Sequence, residues 1–206
     1  MARSKSSSRW LQRQKDDPYV LKAQKEGWRS RAVYKLEEID EKYRLLKPGQ
    51  VVVDLGAAPG AWSQWIAHKL DQRVKIIALD LLPMDGLASV EVIQGDFTED
   101  AVLDKLIESL DGKKVDLVFS DMAPNISGVR AVDQPKSMYL AELAYDFAVN
   151  HLKLEGALAV KLFQGEGYSE YLKLLRSNFE TVNSFKPRAS RADSREMYSV
   201  ARGFKM

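Results

Sequence analysis

The chain has 206 residues and a formal net charge of +2, with apolar and charged fractions (45% and 29%) that suit a soluble globular protein with one sizeable core. It contains no cysteine, which excludes disulfides, thiolate zinc sites, cysteine nucleophiles and thiol-adduct methylation at carbon 5 of a pyrimidine. The charge is uneven: ten Lys/Arg against three Asp/Glu over residues 1–35 (+7), fifteen against twenty-four over 36–185 (−9), and six against two over 186–206 (+4), so basic ends point to a bound polyanion.

Residues 1–17 are rich in Arg, Lys and Ser without periodicity and read as a flexible basic arm. Trp10, Tyr19, Trp28 and Tyr34 mix aromatics into this basic end, which suits nucleic acid. A short helix is expected over 18–26, ended by Gly27. A second is expected over 31–43, capped by Ser30, with Ala32, Val33, Leu36 and Ile39 on one face and Lys35 within it. Lys47-Pro48-Gly49 turns the chain into the first strand. The N-terminal helices (18–50) and a core over 51–206 are read as one domain.

Val51-Val52-Val53-Asp54-Leu55 is an apolar, β-branched run carrying an acid. The small residues Gly56-Ala57-Ala58-Pro59-Gly60 follow, and a helical pattern over 60–70 begins at Trp62. Strand, small-residue turn and helix open a nucleotide-binding α/β domain. A dinucleotide fingerprint would need glycine where Ala58 and Ala61 stand, and Pro59 removes an N–H that would cradle pyrophosphate. The phosphate loop G-x-x-x-x-G-K-[ST] is also absent. The turn suits a nucleoside without phosphates, with Asp54 and the loop backbone facing a charged amino-acid portion, and S-adenosylmethionine has those parts.

Downstream, strands are expected at 74–79, 90–94, 115–120 and 157–163, and helices at 98–110 and 136–150, the latter after a long loop from Met122 to Pro135. Gly165-Glu166-Gly167 opens a helix to about 177, and strands near 179–186 and 196–203 form an antiparallel hairpin. The alternation gives an α/β fold with a mostly parallel seven-stranded sheet covered on both faces. Asp54, Asp80 and Asp121 end strands one, two and four, and Asp96 follows strand three. That rim of the sheet is where α/β domains bind ligands. Asp80 is placed to hold a ribose diol and Asp96 to accept from an adenine amino group. Lys161 interrupts an apolar strand, so it must pair, snorkel or function, and Asp121 on the neighbouring strand is the expected partner. His68 and His151 have no partner at ligand spacing, so no metal is expected. No apolar leader or membrane-spanning run occurs, and the expected location is cytoplasmic.

Long blocks carry a resemblance: Ser6-Ser7-Ser8-Arg9-Trp10-Leu11, Arg29-Ser30-Arg31-Ala32, Val52 to Gly60, Asp80-Leu81-Leu82-Pro83-Met84-Asp85, Gln94-Gly95-Asp96-Phe97, Ser120 to Asn125, Phe163 to Gly167 and Ser194-Arg195-Glu196. With these the chain resembles, over nearly its whole length, the bacterial FtsJ/RrmJ (RlmE) heat-shock family of 23S rRNA uridine-2′-O-methyltransferases. The resemblance implies a Rossmann-like S-adenosylmethionine-dependent methyltransferase fold acting on the large ribosomal subunit, and we expect a monomer. It also implies a Lys-Asp-Lys-Glu tetrad on Lys35, Asp121, Lys161 and Glu196. Its cofactor residues fall on Gly60, Trp62, Asp80, Asp96 and Asp121, to which the loop reading adds Asp54 and Gly56. Ala61 departs from the family pattern, which commonly has a second glycine there.

The chemistry asks for little more. A ribose hydroxyl is a poor nucleophile, a sulfonium methyl is already activated, and the enzyme must align the groups and handle one proton. Arg9, Arg29, Arg31, Arg188, Arg191 and Arg195, at the basic ends, are the expected phosphate contacts. Three alternatives stand beside this reading. Asp121-Met122-Ala123-Pro124 is similar to an amino-directed methyltransferase motif, although it lacks the second proline and the aromatic. A dehydrogenase would need the missing glycines. A non-enzymatic ribosome-assembly factor would bind RNA without turnover.

Overall fold

The computed structural model describes residues 16–205. Seven strands form one sheet in the order β3-β2-β1-β4-β5-β7-β6. They are β1 (Val51–Leu55), β2 (Lys75–Asp80), β3 (Val90–Gln94), β4 (Val115–Ser120), β5 (Leu152–Phe163), β6 (Phe179–Phe185) and β7 (Glu196–Phe204). β1 to β5 pair in parallel, and β7 inserts antiparallel between β5 and β6. The helices are α1 (Pro18–Glu26), α2 (Val33–Tyr43), α3 (Ala61–Lys69), α4 (Asp100–Leu110), α5 (Arg130–His151) and α6 (Tyr168–Asn178). Among the described residues, no helix is long and apolar enough to cross a membrane.

The two-residue period of the strands sorts their side chains between two cores. Val51, Val53, Leu55, Leu158, Val160 and Leu162 face one core, which α4, α5 and α6 cover. Val52, Phe119, Ala157, Ala159, Tyr198 and Val200 face the other, under α1, α2 and α3. Leu36 and Ile39 of α2 are fully buried there, each contributing about 1.5–3 kcal/mol by leaving water. The same alternation turns Asp121, Lys161 and Glu196 toward the α2 side, because each stands two residues from a member of that core: Phe119, Ala159 and Tyr198.

The expected elements recur with three corrections. Asp17, assigned to the arm, is the N-cap of α1: its Oδ1 accepts from the amides of Tyr19 (3.0 Å) and Val20 (3.4 Å), and Pro18 takes the first helical position. The helix expected from 136 starts at Arg130 and carries Pro135 inside it. The Asp133 carboxylate compensates by accepting the amides of Ser127 (2.9 Å) and Gly128 (3.0 Å), which ties the preceding loop onto the first turn. β5 starts at Leu152 rather than 157. The pairing jumps from Val115–Leu152 to Leu117–Ala157, and the intervening Lys153 to Gly156, with Glu155 at φ 64°, forms a bulge that reads as a turn in sequence. Ser30 caps the turn before α2, where its Oγ accepts from the amide of Ala32 (3.2 Å), and α2 itself begins at Val33. Arg9 and the rest of the basic arm to residue 15 lie outside the described residues.

Asp54 belongs to the framework. Its carboxyl is buried on the α3 side of β1, with Oδ2 accepting from Ser63 Oγ at 2.7 Å and Oδ1 lacking a partner. Burial, with Asp121 and Asp80 nearby, pushes its pKa up to about 7 against the lowering effect of Ser63. The folded protein therefore keeps a proton that the unfolded chain releases near pH 4. This carboxyl's contribution to stability is complete below that pH and is lost as pH rises through about 7. We expect the stability difference between wild type and Asp54→Asn, from urea melts at pH 5 and pH 8, to shift in favour of the variant at pH 8. A pH-independent difference would mean that the buried carboxyl does not hold its proton.

Candidate active site

The tetrad residues lie in four segments that sequence separates widely. Lys35 is in the first turn of α2, Asp121 follows β4, Lys161 is near the end of β5, and Glu196 begins β7. Lys161 Nζ lies 2.9 Å from Asp121 Oδ1 and also donates to the Asp121 carbonyl. Lys35 Nζ lies 2.7 Å from Glu196 Oε1. Tyr198 joins the two pairs. It faces Lys161 across the β5–β7 ladder, donates its hydroxyl to Asp121 Oδ1 at 2.5 Å, and has Lys35 Nζ 5.9 Å from its ring centre. Ser190 Oγ donates to Glu196 Oε1 at 2.6 Å.

Electrostatics keep both acids ionised. Burial raises the Asp121 pKa, but Lys161, Lys35 and the Tyr198 hydroxyl outweigh it and hold the carboxyl below its usual range. Burial likewise raises Glu196, and Lys35 and Ser190 hold it below its usual range. The Tyr198 phenol, buried and facing both acids, is pushed well above its usual range and stays a donor. The charges are therefore paired and hydrogen-bonded, as buried ions must be.

Two cavities meet at this cluster. One, of about 470 Å³, is lined by Gly56, Ala58, Asp80, Asp96, Asp121 and the loop from Met122 to Asn125. Asp80 ends β2 with Oδ2 accepting the amide of Ala58 (2.8 Å) and Oδ1 that of Leu82 (2.8 Å), so it braces the cavity's two near loops. Asp96 takes the Thr98 amide and hydroxyl on Oδ1 alone, and these bonds hold its carboxyl below the usual range. Among the described residues, its second oxygen takes no hydrogen bond. Gly56, at φ 77°, has no room for a side chain: a Cβ would sit 2.6 Å from the Met122 amide nitrogen. The other cavity, of about 420 Å³, is lined by Arg31, Lys35, Arg191, Asp193, Ser194 and Glu196.

Three residues expected at the cofactor, Asp54, Gly60 and Trp62, are not among those that line this cavity. Asp54 is buried against Ser63, off the cavity wall. Trp62 packs in the α2-side core, its ring 5.7 Å from that of Tyr198 and 5.5 Å from that of Phe119, and it donates Nε1 to the Ala32 carbonyl at 2.7 Å. It thereby supports Tyr198 and anchors the start of α2 instead of touching the cavity. Gly60, at φ 99°, precedes α3 and packs against Arg29 and Met84. Tyr198 and Ser190 were missed from sequence. Strand alternation from Glu196 points to Tyr198, whereas nothing in the local sequence marks Ser190.

The arginines divide. Arg188 and Arg195 are exposed: Arg188 Nε lies 3.7 Å from Glu38, and Arg195 Nη1 makes a long 3.5 Å contact to the Gln164 carbonyl. Arg31 is half-buried, pairs with Asp17 and donates to the Ala189 carbonyl, and Arg191 lies 3.9 Å from the same Asp17. Arg29 is turned away from both, with its guanidinium on three backbone carbonyls.

This geometry has relatives. The family model described as FtsJ-like methyltransferase matches residues 28–204. The Ribosomal RNA large subunit methyltransferase E proteins of Marinobacter nauticus and Pseudomonas aeruginosa are each 56% identical to the chain, over 206 and 205 residues, and cover all of it; the chain covers 100% and 99% of their lengths. The crystal structure of a ribosomal RNA methyltransferase from Plasmodium falciparum superposes with a TM-score of 0.78 at 33% identity, over 86% of this chain and 98% of that one. The chain belongs to the FtsJ-like methyltransferase family.

Proposed function

We propose that this protein transfers the methyl group of S-adenosylmethionine to the ribose 2′-hydroxyl of a uridine in 23S rRNA, on the large ribosomal subunit. It would act as a cytoplasmic, single-domain monomer. The observation that carries the reading is that the cluster is shared by two cavities: Asp121 lines the one with Asp80 and Asp96, and Lys35 and Glu196 line the one with Arg31, Arg191 and Asp193. The printed names of the relatives supply the large-subunit rRNA substrate.

The donor set fits the cofactor: Asp80 for the ribose diol, Asp96 for the adenine amino group, and Leu81, Phe97 and Pro124 as apolar walls for the base. When bound, the cofactor supplies an activated methyl on a positive sulfur. Asp121, shared by the cofactor cavity and the cluster, stabilises that charge and fixes Lys161. The acceptor oxygen enters from the cavity that Lys35 and Arg31 line. With the cofactor bound, that oxygen would take the methyl group while the bonding pair stayed on sulfur, and the hydroxyl proton would pass to a lysine amine. Lys161 orients the hydroxyl and Lys35 assists. The two amines, each held by a carboxylate, are the groups placed to take the hydroxyl proton. Arg31 and Arg191 line the acceptor cavity, and Arg188 and Arg195 extend the basic surface beside it. An amino-directed reaction is disfavoured because the Asp121 carboxylate already accepts from Lys161 and Tyr198.

The decisive experiment gives labelled S-adenosylmethionine to large subunits lacking the modification and identifies the labelled nucleoside after digestion. Wild type should yield 2′-O-methyluridine; methyl on a base, or no methyl despite binding, would overturn the reading. Lys161→Ala and Lys35→Ala should each lower kcat at least about 100-fold while cofactor affinity, followed by calorimetry, stays within a few-fold. Tyr198→Phe should cost about tenfold in kcat by releasing Asp121 from one hydrogen bond. Removing the exposed pair with Arg188→Ala plus Arg195→Ala should weaken subunit binding and reduce the slope of log affinity against log salt by about 1–2, with cofactor affinity unchanged. An unchanged slope would place the RNA elsewhere.

A further inference from the structure

We propose that Arg29 is a positioning residue for the cofactor, clamping together the two loops that line its cavity, and that it is not a phosphate contact. This inference rests on the cofactor reading above. Arg29 Nη1 donates to the carbonyls of Pro59 (3.0 Å) and Asp85 (2.7 Å), and Nη2 donates to that of Gly86 (2.9 Å). Pro59 belongs to the small-residue loop after β1, which gives Gly56 and Ala58 to the cavity wall; Asp85 and Gly86 belong to the loop after β2, which gives Leu81 and Leu82. Among the described residues, no other hydrogen bond holds residues 83–86. Leu81 and Leu82 are themselves 57% and 62% exposed, so packing holds the loop chiefly at the half-buried Met84 and Leu87.

The clamp is anchored from behind. The Arg29 amide donates to Gln64 Oε1 at 3.0 Å, and Gln64 Nε2 donates to the Gly27 carbonyl at 3.0 Å, so the backbone of 27–29 is fastened to α3. Gly60 makes room for the guanidinium. A Cβ there would lie 2.8 Å from Arg29 Nη1 and 2.7 Å from Met84 Sδ. A planar fork with five donors can hold three carbonyls on two loops at once; an ammonium on a flexible stem holds them less well. With three of its five donors on backbone carbonyls and its orientation set by them, the guanidinium is held toward the loops. Without it, three carbonyls return to water and the 83–86 loop gains freedom that cofactor binding must then remove.

The test compares wild type, Arg29→Ala and Arg29→Lys. It reads S-adenosylmethionine affinity by calorimetry, KM for cofactor and for large subunits separately, and the salt dependence of subunit binding. Arg29→Ala should raise the cofactor Kd and its KM about tenfold. Subunit KM and salt slope should not move, kcat at saturating cofactor should hold within about threefold, and Arg29→Lys should fall between. A flatter salt slope with unchanged cofactor Kd would make Arg29 a phosphate contact and overturn the proposal, as would no change in either. If the alanine variant loses cooperative unfolding, Arg29→Lys carries the same comparison. Failure of wild type to bind S-adenosylmethionine would instead overturn the functional reading itself, and the clamp with it.

Discussion

A lysine at the end of a central strand, with its side chain 9% exposed, must have a partner, and the rest of the site follows from that need. Lys161 projects from β5 on the face where its neighbours Ala157 and Ala159 are small and α2 packs above. Its charge is met by the carboxylate and the carbonyl of Asp121, one strand over. That carboxylate needs a further donor, which Tyr198 supplies from the strand on the other side. Lys35 then brings a second cation close enough to hold both acids below their usual pKa range, and Glu196 and Ser190 complete its own pairing. Each member satisfies a demand created by the one before. Leaving any one unmet inside the protein would cost several kcal/mol.

Much of this was legible in the chain. Strand β1, its small-residue loop and the acids at strand ends are local patterns. Lys161 stood out because it broke an apolar run. Lys35 and Glu196 did not stand out on composition or period and came from family resemblance. Tyr198 was readable from the two-residue alternation that starts at Glu196, yet it looked like an ordinary core aromatic. The start of α5 was missed because Pro135 normally marks a helix's first turn, whereas here the Asp133 carboxylate supports the turns before it. Asp54 was assigned to the cofactor because it flanks the loop, and Trp62 by family resemblance. Alternation and helix phase turn both inward, where they serve the framework.

The arginines teach a related lesson about basic segments. Arg29 and Arg31 stand two residues apart and share a charge, yet the chain at this point aims them in different directions. One guanidinium reaches the loops after β1 and β2, while the other reaches Asp17 and the loop before β7. Charge counting treats the two as equivalent, but the partners each side chain reaches separate them. Arg188, with its side chain 88% exposed, is the kind of arginine that the count describes correctly.

The antiparallel insertion of β7 between β5 and β6 sets which stretch of chain completes the site. Its first residue, Glu196, meets the end of β5 at Phe163, so the last strand of the chain delivers its opening residues to the catalytic rim. The loops that line the acid-walled cavity are all made by residue 140, whereas the partner of Lys35 and the donor to Asp121 both come from beyond residue 195. The antiparallel β7 thus closes the cluster from a different stretch of chain than the loops that line the cavity: Glu196 and Tyr198 reach Lys35 and Asp121 across the sheet.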